Sequence, residues 1–150
     1  MTDLPDLFYQ LVRFETELWN AVDARLRAEF DLPLSRFEPS QVIARRPSCR
    51  VYDIAEELSI TVGGTSKLVD RIETAGYCVR RANPGDRRSS IIELTPAGRR
   101  VLAKATKVFE SELQARIGSA VPKRSLQQFY STVVKLRAAN IVGGDARSSA

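Results

Sequence analysis

The sequence contains no histidine and only two cysteines, Cys49 and Cys78. Without histidine the chain lacks the most common general base and the most common metal ligand. Two isolated cysteines are too few for a disulfide framework or a zinc site. A Gly-rich phosphate loop, a nucleophile elbow and a persuasive pair of carboxylates are also missing. We therefore expect no catalytic residue, no metal and no cofactor, and the composition disfavours an enzyme.

Long apolar runs are missing as well. No stretch approaches the roughly 18 residues that a membrane span needs, and the N-terminus lacks a basic region followed by an apolar one. We expect a cytoplasmic protein without a membrane partner. Cys49 and Cys78 are expected to be small buried hydrophobic residues rather than redox sensors.

Charge of both signs is present, but it is unevenly distributed. Residues 1–40 carry four Lys/Arg against eight Asp/Glu, residues 41–100 eleven against seven, and residues 101–150 eight against three. The net charge of +5 is compatible with a nucleic-acid partner, although charge alone is weak support.

Apolar residues recur every three or four positions over most of the chain, which predicts helices. The first runs from Leu4 to Phe30 and is too long for a small domain to cover, so part of its apolar face should meet another chain. Ser35-Arg36-Phe37-Glu38 fits a capping box with Ser35 as N-cap, opening a helix to about Arg45. Further helices are predicted for Tyr52–Leu58, Thr61 (as cap) to Ala75, Pro96–Ile117, and from Val121-Pro122 to Asn140.

A polar turn separates two short apolar runs in the middle of the chain. Tyr77–Arg81 precedes Asn83-Pro84-Gly85-Asp86-Arg87-Arg88-Ser89-Ser90, and Ile91–Leu94 follows it. This pattern predicts a β-hairpin with arginines near its tip. Helix, turn, helix and basic hairpin is the order of a winged helix-turn-helix. The predicted fold class is mainly α (α+β), with long helices at both ends.

These segments resemble the MarR family (multiple-antibiotic-resistance-type regulators). The resemblance rests on Tyr52–Leu58, Lys67–Tyr77, Asn83–Ser89 and Leu94–Gly98, in that order. It implies a homodimer with interlocking terminal helices, whose two heads read a pseudo-palindromic operator in double-stranded DNA. It also implies a transcription factor, usually a repressor, often released by a small, frequently aromatic effector.

The predicted domains follow from the helices and the resemblance together. Residues 34–98 form the DNA-binding head, residues 1–33 and 99–142 form the helical dimerisation region, and the small polar residues 143–150 form a disordered tail.

The candidate DNA contacts lie on the second helix of the head and on the hairpin: Thr61, Gly63, Gly64, Thr65, Ser66, Lys67, Arg71, Arg81, Arg87 and Arg88. Asp86 is expected to pair with Arg88 and fix the turn, which leaves Arg87 for the minor groove, although the two arginines can be exchanged in this assignment. Arg71 either contacts phosphate or pairs with an acidic residue of the head.

Gly63 and Gly64 depart from the family, which more often carries polar side chains there. They either let the backbone approach DNA closely or mark a frayed helix start. If the chain does not read DNA, the alternative function is a winged-helix protein-interaction module.

Three residues are candidates for an effector pocket. Trp19 is either dimer core or a pocket wall, and Arg13 and Glu38 are either polar groups of that pocket or members of surface pairs.

Overall fold

The computed structural model describes residues 1–147. Its chain divides into two compact units, residues 1–110 and residues 111–150. The elements are α1 (Leu4–Phe30), α2 (Leu34–Arg45), α3 (Val51–Leu58), α4 (Val62–Thr74), β1 (Cys78–Ala82), β2 (Ser90–Leu94), α5 (Pro96–Leu113), a π-helical turn (Gln114–Gly118) and α6 (Lys123–Arg147). In the described part of the chain, no helix is both long and apolar enough to cross a membrane.

The predicted fold class is confirmed. α2, α3 and α4 pack on one another, and the antiparallel β1–β2 hairpin packs on them with Cys78 opposite Leu94 and Ala82 opposite Ser90. The largest fully buried side chains of this unit include Leu26, Phe37, Val42, Ile54, Val69, Ile72 and Ile92. This unit is therefore built on one apolar core.

The first helix has the predicted bounds and ends at Phe30, and the next residue, Asp31, caps it in a left-handed conformation with φ 50°. Val22 and Leu26 near its C-terminal end are buried, and α1 contacts α2. Its N-terminal half instead exposes large apolar side chains: Leu4, Leu7, Phe8, Tyr9, Leu11, Val12 and Phe14. Only the last turns of α1 contribute to the core.

The predicted capping box at Ser35 is wrong. The helix begins at Leu34, so Ser35 is its second residue, and no side chain of the N-cap position makes a capping hydrogen bond. The Leu34 N–H instead donates to Asp23 Oδ1 at 2.8 Å. A carboxylate from α1 thus satisfies one of the first N–H groups of α2, which have no partner within the helix. Burial raises the pKa of Glu38, which lies half-buried on α2.

The two predicted threonine caps are confirmed. Thr61 Oγ1 accepts the Gly64 N–H at 3.0 Å, and Thr95 Oγ1 accepts the Gly98 N–H at 3.0 Å. The Thr95 hydroxyl also donates to the Gly76 carbonyl at 2.6 Å. Gly76 has φ 82°, the left-handed conformation expected after α4. The start of α5 is thereby fastened to the end of α4.

Both cysteines are buried, as predicted. Burial raises the pKa of each thiol to about 11, so both stay protonated near neutral pH. A protonated, buried thiol is a poor nucleophile. Cys49 and Cys78 therefore act as packing residues.

The last helix continues to Arg147, five residues into the segment 143–150 for which a disordered tail is predicted. Glycine in a helix costs about 1 kcal/mol relative to alanine, a penalty too small to end a long helix by itself. Residues 148–150 of the predicted tail lie outside the described residues.

Gly98→Ala should destabilise the chain. A Cβ at Gly98 would lie 2.0 Å from the Tyr77 carbonyl oxygen, and backbone on both sides leaves little room to move. We expect a decrease of about 1–3 kcal/mol in the free energy of unfolding, measured by urea denaturation. The control is Gly63→Ala, because a Cβ there meets nothing within 4 Å. Unchanged stability of Gly98→Ala would contradict the described packing of α5 on the start of the hairpin.

Candidate nucleic-acid interface

The α4 helix presents two different faces. Thr65, Val69 and Ile72 are buried, whereas Lys67 and Arg71 are exposed. Thr65 is fully buried and its hydroxyl donates to the Thr61 carbonyl at 2.7 Å. The prediction of Thr65 as a DNA contact is therefore wrong, since the side chain belongs to the core. Ser66 is partly exposed and stays a candidate beside Lys67.

Gly63 and Gly64 lie in the first turn of α4, inside a capped helix rather than a frayed one. A Cβ at Gly64 would lie 2.9 Å from Thr61 Oγ1 and would disturb the cap. A Cβ at Gly63 would meet open space, so packing within this unit does not require glycine there. Capping explains Gly64, whereas no contact within the described residues requires glycine at position 63.

The turn between β1 and β2, here called the wing tip (residues 83–89), is held by its own polar groups. Asn83 Nδ2 donates to Ser89 Oγ at 3.0 Å, and Asn83 Oδ1 accepts the Gly85 N–H at 3.1 Å. Asp86 Oδ1 accepts the backbone N–H of Arg88 at 2.9 Å. Short Asn and Asp side chains that bond to nearby backbone are typical of tight turns.

The predicted pair between Asp86 and the Arg88 side chain is wrong. Asp86 does fix the turn, but it does so through the main chain of Arg88. Within the described residues, neither the Arg87 nor the Arg88 guanidinium forms an ion pair, and both residues are exposed. Because a backbone amide satisfies Asp86, the wing tip presents two arginines whose guanidinium groups have no ion pair in the described residues, instead of one.

Arg80 joins the hairpin to α4. Its guanidinium contacts Asp70 Oδ1 at 2.7 Å and Glu73 Oε1 at 3.2 Å, and it donates to the Ser66 carbonyl at 3.3 Å. The Arg80 backbone N–H also donates to Glu73 Oε2 at 3.2 Å. The sequence analysis did not predict this network. The only sequence feature that points to it is the spacing of Asp70 and Glu73, three positions apart on one face of α4. Arg80 also neutralises acidic groups that would otherwise repel phosphates.

Arg81, a predicted DNA contact, pairs with Glu93 across the hairpin at 2.5 Å. The two residues lie on neighbouring strands, where Arg81 faces Ile91 and Val79 faces Glu93. Both side chains are largely exposed, and a surface pair of this kind is worth about 0–1 kcal/mol. Arg81 therefore stays a candidate, but a phosphate would have to compete with Glu93 for it.

Arg71 does not form the alternative ion pair with an acidic residue of the head. Asp70 pairs with Arg80, Glu57 pairs with Arg45 and Arg46, and no ion pair to Arg71 occurs among residues 1–147. Arg71 instead borders a shallow depression of about 290 Å³, whose lining comprises Arg36, Asp70, Arg71, Thr74 and Ala75. Arg36 likewise has no ion-pair partner in this part of the chain. Its position on α2 gave sequence reasoning no signal, because only the tertiary fold brings α2 beside α4.

The candidate effector residues are not gathered in one cavity. Trp19 borders a depression of about 260 Å³ together with Glu15, Thr16 and Asn20, all from α1. Arg13 and Glu38 do not line that depression. The effector pocket stays a prediction.

Comparison with known proteins gives concordant results. A family model described as MarR family matches residues 41–89. An HTH-type transcriptional regulator of Bacillus cereus is 29% identical over 99 residues, 66% of this chain and 65% of the relative. The match therefore spans just under two thirds of that relative's length.

Solved structures extend the likeness over most of the chain. The transcriptional repressor CouR, bound to a 23-mer DNA duplex, superposes with a TM-score of 0.80 at 26% identity, covering 87% of this chain and 92% of CouR. Residues 41–89 of the chain thus resemble the MarR family, and the fold resembles that of CouR. Another solved structure, the MarR family transcriptional regulator Sco3205 from Streptomyces coelicolor in complex with DNA, has a TM-score of 0.82 at 20% identity, covering 89% of this chain and 84% of that one. At that identity the likeness shows the MarR fold alone.

The segment that matches the MarR family model runs from α2 through α3, α4 and β1 to the wing tip. It contains Lys67, Arg71, Arg80, Arg87 and Arg88 and ends at Ser89. The family and its fold are those of regulators and not of enzymes, which agrees with the expectation from composition. The matched segment thus contains all of the candidate interface except Arg36.

Proposed function

We propose that this chain is a sequence-specific DNA-binding transcriptional regulator that acts as a homodimer on a pseudo-palindromic operator. The observation that carries the proposal is the pair of exposed arginines, Arg87 and Arg88, on a hairpin fastened to α4. A guanidinium without an internal partner can give its donors to a phosphate or enter a narrow minor groove. The complex of CouR with a DNA duplex, at 26% identity, supports the same use of the fold.

Within this proposal the two parts of the interface have different tasks. α4 enters the major groove, where Ser66 and Lys67 meet base edges, and Arg71 and Arg36 meet phosphates beside it. Gly63, which has open space around it, lets the helix backbone approach the groove closely. Arg87 and Arg88 provide affinity and sense groove width, which carry little base identity.

The proposal of a homodimer rests on the exposed apolar face of α1. Leu4, Phe8 and Tyr9 are more than half exposed within a single chain. α6, in the other unit, separately exposes Tyr130, Leu136 and Ile141 by more than half. Apolar surface of this kind is typical of obligate interfaces between subunits. A second copy of the chain would cover it, with residues 34–98 as head and residues 1–33 and 99–142 as dimerisation region.

Repression and release by a small effector extend the proposal. Two heads about 34–36 Å apart would occupy successive turns of one DNA face. A ligand that binds one head separation more tightly than the other would shift the population of DNA-competent dimers. Trp19, Arg13 and Glu38 are the residues proposed for that ligand.

Replacing Arg87 and Arg88 together by alanine should weaken binding to any duplex. The slope of log K against log salt should become shallower by about 0.9 for each phosphate that is no longer neutralised, measured by fluorescence anisotropy from 50 to 200 mM salt. The charge-matched control is Lys123→Ala with Arg124→Ala, because both residues are exposed at the start of α6. Wild-type affinity and slope in the wing variant would contradict the role of the wing tip.

Lys67→Ala should change which bases the protein tolerates, because Lys67 lies on the exposed face of α4 without an ion pair in the described chain. Removing a side chain that reads a base edge costs about 1–3 kcal/mol of discrimination at that position. Selection from random DNA with wild type and variant measures it, and identical preferences would remove Lys67 from the base-contacting residues. Failure of the wild-type chain to select any sequence would favour the protein-interaction module instead.

A further inference from the structure

The head exposes few large apolar side chains. Among residues 34–98, all of which the structure describes, the exposed large hydrophobic residues are Tyr52, Ile60 and Val62. They are 58%, 40% and 52% exposed, and they lie at the start of α3 and in the turn into α4. Scattered exposed apolar residues need no explanation, but Ile60 and Val62 flank the N-cap residue Thr61 at the start of the proposed recognition helix.

Val62 has a distinctive position within this group. It is the first residue of α4, and the three residues after it offer no side chain to a partner outside the chain. Gly63 and Gly64 have none, and Thr65 is buried. The hydroxyl oxygen of the preceding Thr61 accepts the capping hydrogen bond from Gly64. In the first turn of the helix, Val62 therefore provides the exposed side chain that a partner can contact.

The chemistry of a valine restricts what it can recognise in DNA. It has no hydrogen-bonding group, whereas most of the base edge in the major groove consists of donors and acceptors. The apolar group on that edge is the C5-methyl of thymine. Burying a polar base edge under an isopropyl group would leave its donors or acceptors without water and without a partner.

We propose that Val62 specifies thymine in the operator by packing against its C5-methyl group, at the helix tip that Gly63 leaves bare. This inference rests on the proposed DNA-binding function and adds the identity of one base that the protein recognises. It assigns apolar recognition to Val62 and polar recognition to Ser66 and Lys67, one turn further along α4.

The test removes the methyl group and leaves base pairing unchanged. A duplex selected by the wild-type chain is remade with deoxyuridine in place of thymine, one symmetric pair of positions at a time. At one such pair the wild-type chain should lose affinity by about fourfold for each half-site, the amount expected for one methylene-sized apolar contact. The Val62→Ser chain should bind the thymine and deoxyuridine duplexes equally at that pair.

The matched control is Val121→Ser, which changes an exposed valine outside the head. It should respond to deoxyuridine as the wild-type chain does. Both valines are exposed, so either change should alter stability by less than about 0.5 kcal/mol, and urea denaturation would verify folding.

Two results would overturn the inference in distinguishable ways. If the wild-type and Val62→Ser chains lose the same factor at every substituted position, the DNA-binding function stands and Val62 does not contact a thymine methyl. If the wild-type chain binds no duplex in a salt-dependent manner, the proposed function fails and this inference fails with it.

Discussion

The candidate interface depends on the position of Arg80 between the hairpin and α4. Its guanidinium contacts Asp70, Glu73 and the Ser66 carbonyl, so one strand residue reaches almost two turns of the helix. Each partly exposed ion pair adds little to stability, about 0–1 kcal/mol. Their combined effect is geometric, because the hairpin cannot turn away from α4 without breaking all of them. The same contacts neutralise two acids that would otherwise oppose the approach of DNA.

The polar groups around this arginine are already satisfied, and that decides which residues remain for a partner. Arg80 is committed to α4, Arg81 is shared with Glu93, and Asp86 is held by a backbone amide. Arg87 and Arg88 remain uncommitted at the wing tip. On α4 the first turn offers little more than Val62, because capping and burial use its other functional groups. In the proposed function, affinity and base recognition therefore belong to different elements of one head.

Local signals predicted the parts of this fold that local chemistry determines. Thr61 and Thr95 cap helices, and Gly76 takes the left-handed conformation, because these preferences act within a few residues. The capping box at Ser35 failed because its acceptor came from Asp23, eleven residues away from Leu34 on another helix. The predicted pair of Asp86 with the Arg88 side chain failed for the opposite reason, because the nearer backbone N–H of Arg88 bonds to Asp86 instead. Arg36 and Arg80 lie beside α4 only through tertiary packing, which the spacing of residues does not encode.

The central claim is that the head binds double-stranded DNA with sequence specificity. The most direct measurement is the equilibrium affinity of the full chain for a duplex selected from random DNA and for a scrambled duplex of equal composition, across 50 to 200 mM salt. We expect log K to fall linearly with log salt, and the selected duplex to bind about a thousandfold or more tightly than the scrambled one. Equal affinity for both duplexes, or binding that does not respond to salt, would contradict the claim.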